Sequence, residues 1–284
     1  VRSRGLVAAL LTLTLTLTPL TGCAQSVDPI ERLGKKAAER VRPDHGPTPE
    51  QPPPLAATLE PGDPHRRWGL TTPLAPPPTP AAGPRTASHA SLPPVVDHIP
   101  TRDKVVFLTY DDGAERDPRF IDMVRELRLP VSMFLTDSVV GPAYAHFAHL
   151  RSVGASIQNH TLDHAALRGL PYAGQRAEIC GQQDKLKSRF GLRPRLFRPP
   201  YGIYDTTTLR AAADCGITAI VLWRASMGPT DLTYTHGSHH LHPGDIIAVD
   251  PDEAMGPSLR ERTTRLLRRV QEQGLTVGRL EDYL

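Results

Sequence analysis

Three short runs hold the residues of this chain whose types and spacing suit chemistry. Asp111-Asp112-Gly113 follows an apolar run, Lys104 to Tyr110. His160-Thr161-Leu162-Asp163-His164 sets two imidazoles four residues apart, and Arg198-Pro199-Pro200-Tyr201-Gly202 joins a cation to a proline-stiffened turn. Singly, each has an ordinary reading. Asp-Asp-Gly supplies turn geometry, two His four apart recur at His236 and His240, and two prolines alone can fix a turn. Together they form a set. Two imidazoles and a carboxylate at strand ends make a facial site with open positions, as in hydrolytic zinc centres. A second carboxylate beside the first serves as a general base, and an arginine on the next strand holds that base ionised.

The elements that must position this set read as alternating strands and helices. Strands are predicted over 104–110, 131–135, 155–158, 195–197, 218–223, 245–249 and 275–277. Helices are predicted over 118–127, 144–153, 172–190, 206–215 and 257–273, several closed by glycine. Such alternation implies parallel pairing and an α/β layer or barrel. In those folds chemistry gathers at the carboxyl ends of strands, where all three runs fall.

The first 100 residues differ in kind. Arg2 and Arg4 precede an uncharged stretch from Gly5 to Pro19 that is short for a membrane span, so residues 1–22 read as a signal peptide. Leu20-Thr21-Gly22-Cys23 resembles the lipobox of bacterial lipoproteins, which implies acylation of Cys23 and a membrane-anchored, extracytoplasmic protein. Residues 27–42 suit a short amphipathic helix. Of the 30 prolines, 17 fall between Pro43 and Pro100. Residues 23–100 are therefore expected to be a disordered linker, with Trp68 the one large apolar residue expected to dock. The folded domain is expected over 101–284. A net charge of +3 gives no footing for nucleic-acid binding. Outside the cytoplasm Cys180 and Cys215 can form a disulfide or remain two buried thiols, and spacing does not decide between them.

TYDDG, NHTLDH and FRPPYG, in that order, resemble the first three motifs of the polysaccharide deacetylases, the NodB-homology domains of carbohydrate esterase family four. The resemblance covers about residues 101–284. It implies a distorted (β/α) barrel and a divalent metal, zinc or cobalt, held by Asp112, His160 and His164. It assigns Asp111 as base, oriented by Arg198, with the Tyr201 N–H as an oxyanion donor and Pro200, Tyr201 and Trp223 lining the substrate. A metal lowers the pKa of its bound water from about 15.7 towards 7. The expected reaction is removal of N-acetyl groups from an N-acetylglucosamine-type polysaccharide, with peptidoglycan the nearest such polymer to an anchored enzyme.

The chain departs from the family late. The family's general-acid His is missing, and Asp250 follows the strand where it is expected. Arg224-Ala225-Ser226 stands where an acidic partner of that His is usual. Asp250 can act as the acid if burial raises its pKa, Asp111 can return the proton it takes, or the site binds without turnover. Two alternatives therefore stand beside the deacetylase: a catalytically impaired wall-glycan-binding protein and an O-acetyl esterase. An alcohol leaves with less help from an acid than an amine does. His236, His239, His240 and His242 read as a solvated loop, and one of them standing in for the acid is the sharper option. Arg260, Arg262, Arg265, Arg268 and Arg269 read as the exposed face of the last long helix.

Overall fold

A computed structural model describes residues 62–80, 92–113, 116–236, 239–251 and 256–284. All lie in one compact unit, Leu59–Leu284. The expected signal peptide, Cys23 and the helix over 27–42 fall outside the described residues. No helix among the described residues is long and apolar enough to cross a membrane.

In chain order the elements are α1 (Pro64–Arg67), β1 (Val95–Val96), β2 (Val105–Tyr110), α2 (Pro118–Leu127), β3 (Ser132–Leu135), α3 (Asp137–Val140), α4 (Tyr144–Ser152) and β4 (Ser156–Asn159). Then come α5 (Tyr172–Phe190), β5 (Leu196–Phe197), α6 (Thr206–Asp214), β6 (Ala219–Val221), β7 (Ala225–Met227), β8 (Leu232–Tyr234), β9 (Ile246–Val249), α7 (Leu259–Glu272) and β10 (Thr276–Val277). The strands run β1-β6-β5-β4-β3-β2-β9-β7-β8, with β10 on β2. Every ladder is parallel except β7–β8. This is the mixed α/β, mostly parallel architecture expected of the distorted (β/α) barrel. Among the described residues no ladder joins β1 to β8, so the barrel is open.

Parallel strands covered on both faces need continuous apolar runs. β2 meets that demand, with all six residues of Val-Val-Phe-Leu-Thr-Tyr buried. α2 starts at Pro118 behind an Asp117 cap whose side chain accepts from the Arg119 N–H at 2.9 Å, and it buries Phe120, Ile121, Met123 and Val124. α5 packs through buried glutamines as well as apolar residues: Gln182 donates to the Leu135 carbonyl at the end of β3, and Gln183 to the Pro194 carbonyl. Cys180 of α5 and Cys215 after α6 are joined by a disulfide.

The structure corrects two expectations. The linker does not extend to residue 100. Trp68 is 7% exposed, Leu70 is buried, and the Trp68 indole N–H donates to Glu126 at 2.7 Å. Arg268 and Gln271 of α7 donate to the Gly69 and Thr72 carbonyls, and β1 adds a parallel strand to β6. Burying a tryptophan stabilises by roughly 1.5–3 kcal/mol or more, enough to hold this segment despite its prolines. The basic run is also not one exposed face. Arg262 is fully buried, and Arg260 pairs with Asp117 at 3.0 Å.

Candidate metal and catalytic site

Strand register brings the three runs together. Tyr110 pairs with Met133 and Val249, so the ends of β2, β3 and β9 are adjacent. Asn159 pairs with Phe197, which sets His160 beside Arg198. The Nε2 atoms of His160 and His164 lie 3.3 and 3.2 Å from Asp112 Oδ1. Ligand atoms of these three residues all fall within 4.8 Å of one another.

The donor set fits a divalent metal. Asp112 Oδ1 is buried and has no hydrogen-bond partner among the described residues, and a buried carboxylate oxygen left so is costly unless a cation satisfies it. The His160 Nδ1–H donates to the Arg198 carbonyl at 2.8 Å, which leaves Nε2 as the lone-pair nitrogen facing Asp112. Burial pushes the His164 pKa below the ordinary histidine value, with Asp112 opposing, so its neutral, ligating form is favoured. Burial would raise the Asp112 carboxyl, and protonated rings at His160 and then His164 would outweigh it and lower it; with neutral, ligating imidazoles a bound cation takes over that role.

Asp111 faces the second cation. Arg198 NH1 donates to its carboxylate at 2.7 Å, and Arg198 is itself fully buried. That guanidinium also donates to the Val221 and Leu222 carbonyls and lies over the Phe134 and Trp223 rings. Its position is overdetermined, so Asp111 is held in one place.

Four of the five non-glycine residues with left-handed backbone among the described residues belong to this site: Asp112, Thr161, His164 and Tyr201, with φ from 58° to 75°. Such conformations cost about 1–3 kcal/mol each and persist where the surroundings impose them. The surroundings are visible. Thr136 donates its hydroxyl to the His160 carbonyl at 2.9 Å and its N–H to the Asp112 carbonyl at 3.2 Å. Asn159 accepts from the Thr161 N–H, and the Thr161 hydroxyl accepts from the His164 N–H. Gly113 is required beside Asp112, since a Cβ there would lie 2.6 Å from Val140. Thr136 carries no motif signal in a single sequence, and only its place directly after a site strand could have marked it, whereas Asn159 opens the NHTLDH run.

The remaining residues divide. Tyr201 is 62% exposed and its ring lies 4.8 Å from that of His164, at the mouth of the site. Trp223 is half-buried against Arg198 and Gly202. Pro200 is buried, so it shapes the turn and presents no surface to a substrate. Asp250 follows β9 and is half-buried. Its carboxylate lies 3.8 Å from buried Arg262, whose NH1 also donates to the Asp250 carbonyl at 2.6 Å. Arg224 pairs with Asp97 at 2.9 Å. His242 bonds through its N–H to Asp245, at the opposite end of β9 from Asp250, which removes the histidine loop from the acid's place.

A family model described as polysaccharide deacetylase matches residues 98–220. An uncharacterized protein of Streptomyces coelicolor is 70% identical over 194 residues, 68% of this chain and 78% of that protein. Chitin deacetylase 1 of Cryptococcus neoformans is 28% identical over 172 residues, 60% of this chain but only 37% of that protein. Among solved structures, a family 4 carbohydrate esterase from Bacillus anthracis aligns with a TM-score of 0.55 and 21% identity, covering 66% of this chain and 86% of that one. A pseudoenzyme of the same esterase family, also from Bacillus anthracis, aligns with a TM-score of 0.57 and 18% identity, covering 67% and 69%. At these identities the structural likeness shows the fold alone, and it takes in an esterase and a pseudoenzyme alike.

Proposed function

The chain belongs to the polysaccharide deacetylase family, and from that premise we propose that it is a metal-dependent hydrolase removing N-acetyl groups from an N-acetylglucosamine-type wall glycan. The observation that carries the reading is the convergence of two imidazole Nε2 atoms on the orphaned Asp112 oxygen, beside a carboxylate clamped by buried Arg198.

A divalent metal, zinc by the donor set, supplies a Lewis acid and a water of lowered pKa when bound by Asp112, His160 and His164. The chain's own groups do the rest. Asp111, held in place by the Arg198 guanidinium at 2.7 Å, accepts the proton of the attacking water. Tyr201 contributes its main-chain N–H to the developing oxyanion and its exposed ring to the glycan. The leaving nitrogen needs a proton. The pairing of Asp250 with Arg262 speaks against Asp250 as its source, so Asp111 returns the proton it took.

The same pairing favours a second reading, hydrolysis of O-acetyl esters, whose alcohol leaving groups need less protonation. A wall-glycan-binding protein without turnover is the third. The lipobox-like run around Cys23 supports a membrane-anchored, extracytoplasmic location, which would be checked by fatty-acid labelling of wild type against Cys23→Ser.

Acetate release from N-acetylglucosamine oligomers, peptidoglycan and O-acetylated xylan separates these readings. Release from the first two that disappears in His160→Ala and persists in Asp250→Ala supports the deacetylase with Asp111 as shuttle. Release from xylan alone selects the esterase. Glycan binding with no release above the His160→Ala control selects the binding protein.

A further inference from the structure

A cavity of about 490 Å³ lies at the amino ends of β4 and β5, the opposite end of those strands from the Asp112 site. Its volume is that of a small-molecule site, roughly 300–1,000 Å³. Arg151, Arg193, Arg195 and Arg279 line it, together with Glu281. Arg193 is paired with Asp184 at 2.5 Å. Among the described residues Arg151 and Arg279 donate to carbonyls, those of Phe190 and Gly154. Among the described residues no carboxylate lies within ion-pair distance of Arg151, Arg195 or Arg279, and against these three cations and the paired Arg193 the hollow sets the single side-chain carboxylate of Glu281.

Glu281 sets a second demand. Its Oε1 accepts from Ser132 Oγ and Gln158 Nε2, each at 2.9 Å, and from Ser156 Oγ. Its Oε2 is buried with no hydrogen-bond partner among the described residues. A bare anion would answer the arginines but leave Oε2 unsatisfied and repelled. A neutral sugar would satisfy Oε2 but leave the guanidiniums without an anion. A hydroxylated anion meets both demands, with its acid group on the arginines and a hydroxyl donated to Oε2.

We infer that this cavity is a binding site for a sugar bearing a phosphate or carboxylate, held by Arg151, Arg195 and Arg279 through its acid group and by Glu281 through a hydroxyl. The site is independent of the deacetylase reading.

The test is calorimetric titration of the full chain with glucose 1-phosphate, glucuronate, glucose and inorganic phosphate. At least one of the two sugar acids binds, and which one identifies the acid group. Glucose and inorganic phosphate bind at least about tenfold more weakly, as loss of one charge-assisted contact implies. Arg195→Ala, at an exposed side chain, weakens the sugar acid about tenfold or more while leaving acetate release unchanged. Glu281→Gln turns an acceptor into a donor, so it weakens the sugar acid but not inorganic phosphate. If Glu281→Gln fails to fold, the ligand series and Arg195→Ala carry the test. The inference is overturned if neither sugar acid binds, if Arg195→Ala binds it equally well, or if inorganic phosphate binds as tightly.

Discussion

Residues 98–220 and residues 221–251 meet at the same end of the sheet, and they are built differently. The earlier region carries the family match, the site's four left-handed backbone positions and a buried cation aimed at the Asp111 carboxylate. Its charges are arranged around a place where something else must sit, as the orphaned Asp112 oxygen shows. In the later region the charges close on one another: Arg224 on Asp97, and Asp250 on Arg262 reaching up from α7. The contrast teaches that the Asp111, Asp112, His160 and His164 groups form a strained, pre-organised unit, whereas Asp250 is taken into the packing between β9 and α7.

Four changes break or sharpen this contrast. Asp111→Asn should lower acetate release on the order of 10²–10⁴-fold, the usual worth of a general base, with metal content unchanged. Retained activity would dissolve the distinction. Arg198→Met should cost about 3–5 kcal/mol of stability in denaturant melts, since Asp111 would be left without its cation. A loss under about 1 kcal/mol would mean the clamp is not structural. Asp205→Ala should cost about 1 kcal/mol, because the Asp205 side chain caps α6 by accepting from the Thr208 N–H at 2.9 Å. Burial tends to raise the Asp205 carboxyl, but the Thr208 and Gln175 hydrogen bonds outweigh it and leave its pKa lowered. Its contribution is therefore present above about pH 4 and lost as pH falls through the folded-state value, so the two melting curves should converge in acid. Asp250→Ala should change acetate release least, by under about tenfold. A fall of 10²–10⁴-fold would make Asp250 the acid and join the two regions into one machine.

Much of the earlier region was legible in the sequence because its chemistry sits directly after apolar strands. Asp111 and Asp112, His160 and His164, and Arg198 each occupy such a place, and the structure gathers them. The helices over 118–127 and 172–190 match the predicted spans, since a proline start and a glycine or left-handed stop mark their ends. What was not legible depends on tertiary partners. Arg262 reads as one of five surface arginines until β9 is laid over α7. Residues 62–80 read as linker by their prolines; Trp68 docks as expected, but that Leu70 and the Gly69 and Thr72 carbonyls join it depends on partners that composition cannot reveal. The hairpin of β7 and β8 has three-residue strands, too short to show a period. The left-handed turn at Thr161 runs against the preference of a β-branched residue, so only its neighbours explain it.

The account rests on Asp112, His160 and His164 holding one catalytic metal. The direct measurement is zinc titration of the metal-stripped full chain with parallel acetate assays, in wild type, His160→Ala and Asp112→Asn. The account predicts one tight zinc per wild-type chain, activity rising in step with occupancy, and both lost in the two variants. Affinity should fall as pH drops through the His164 value, which burial sets below the ordinary histidine range. Zinc binding that survives both substitutions, as it would on the loop of His236, His239, His240 and His242, or acetate release from the metal-free chain, would contradict it.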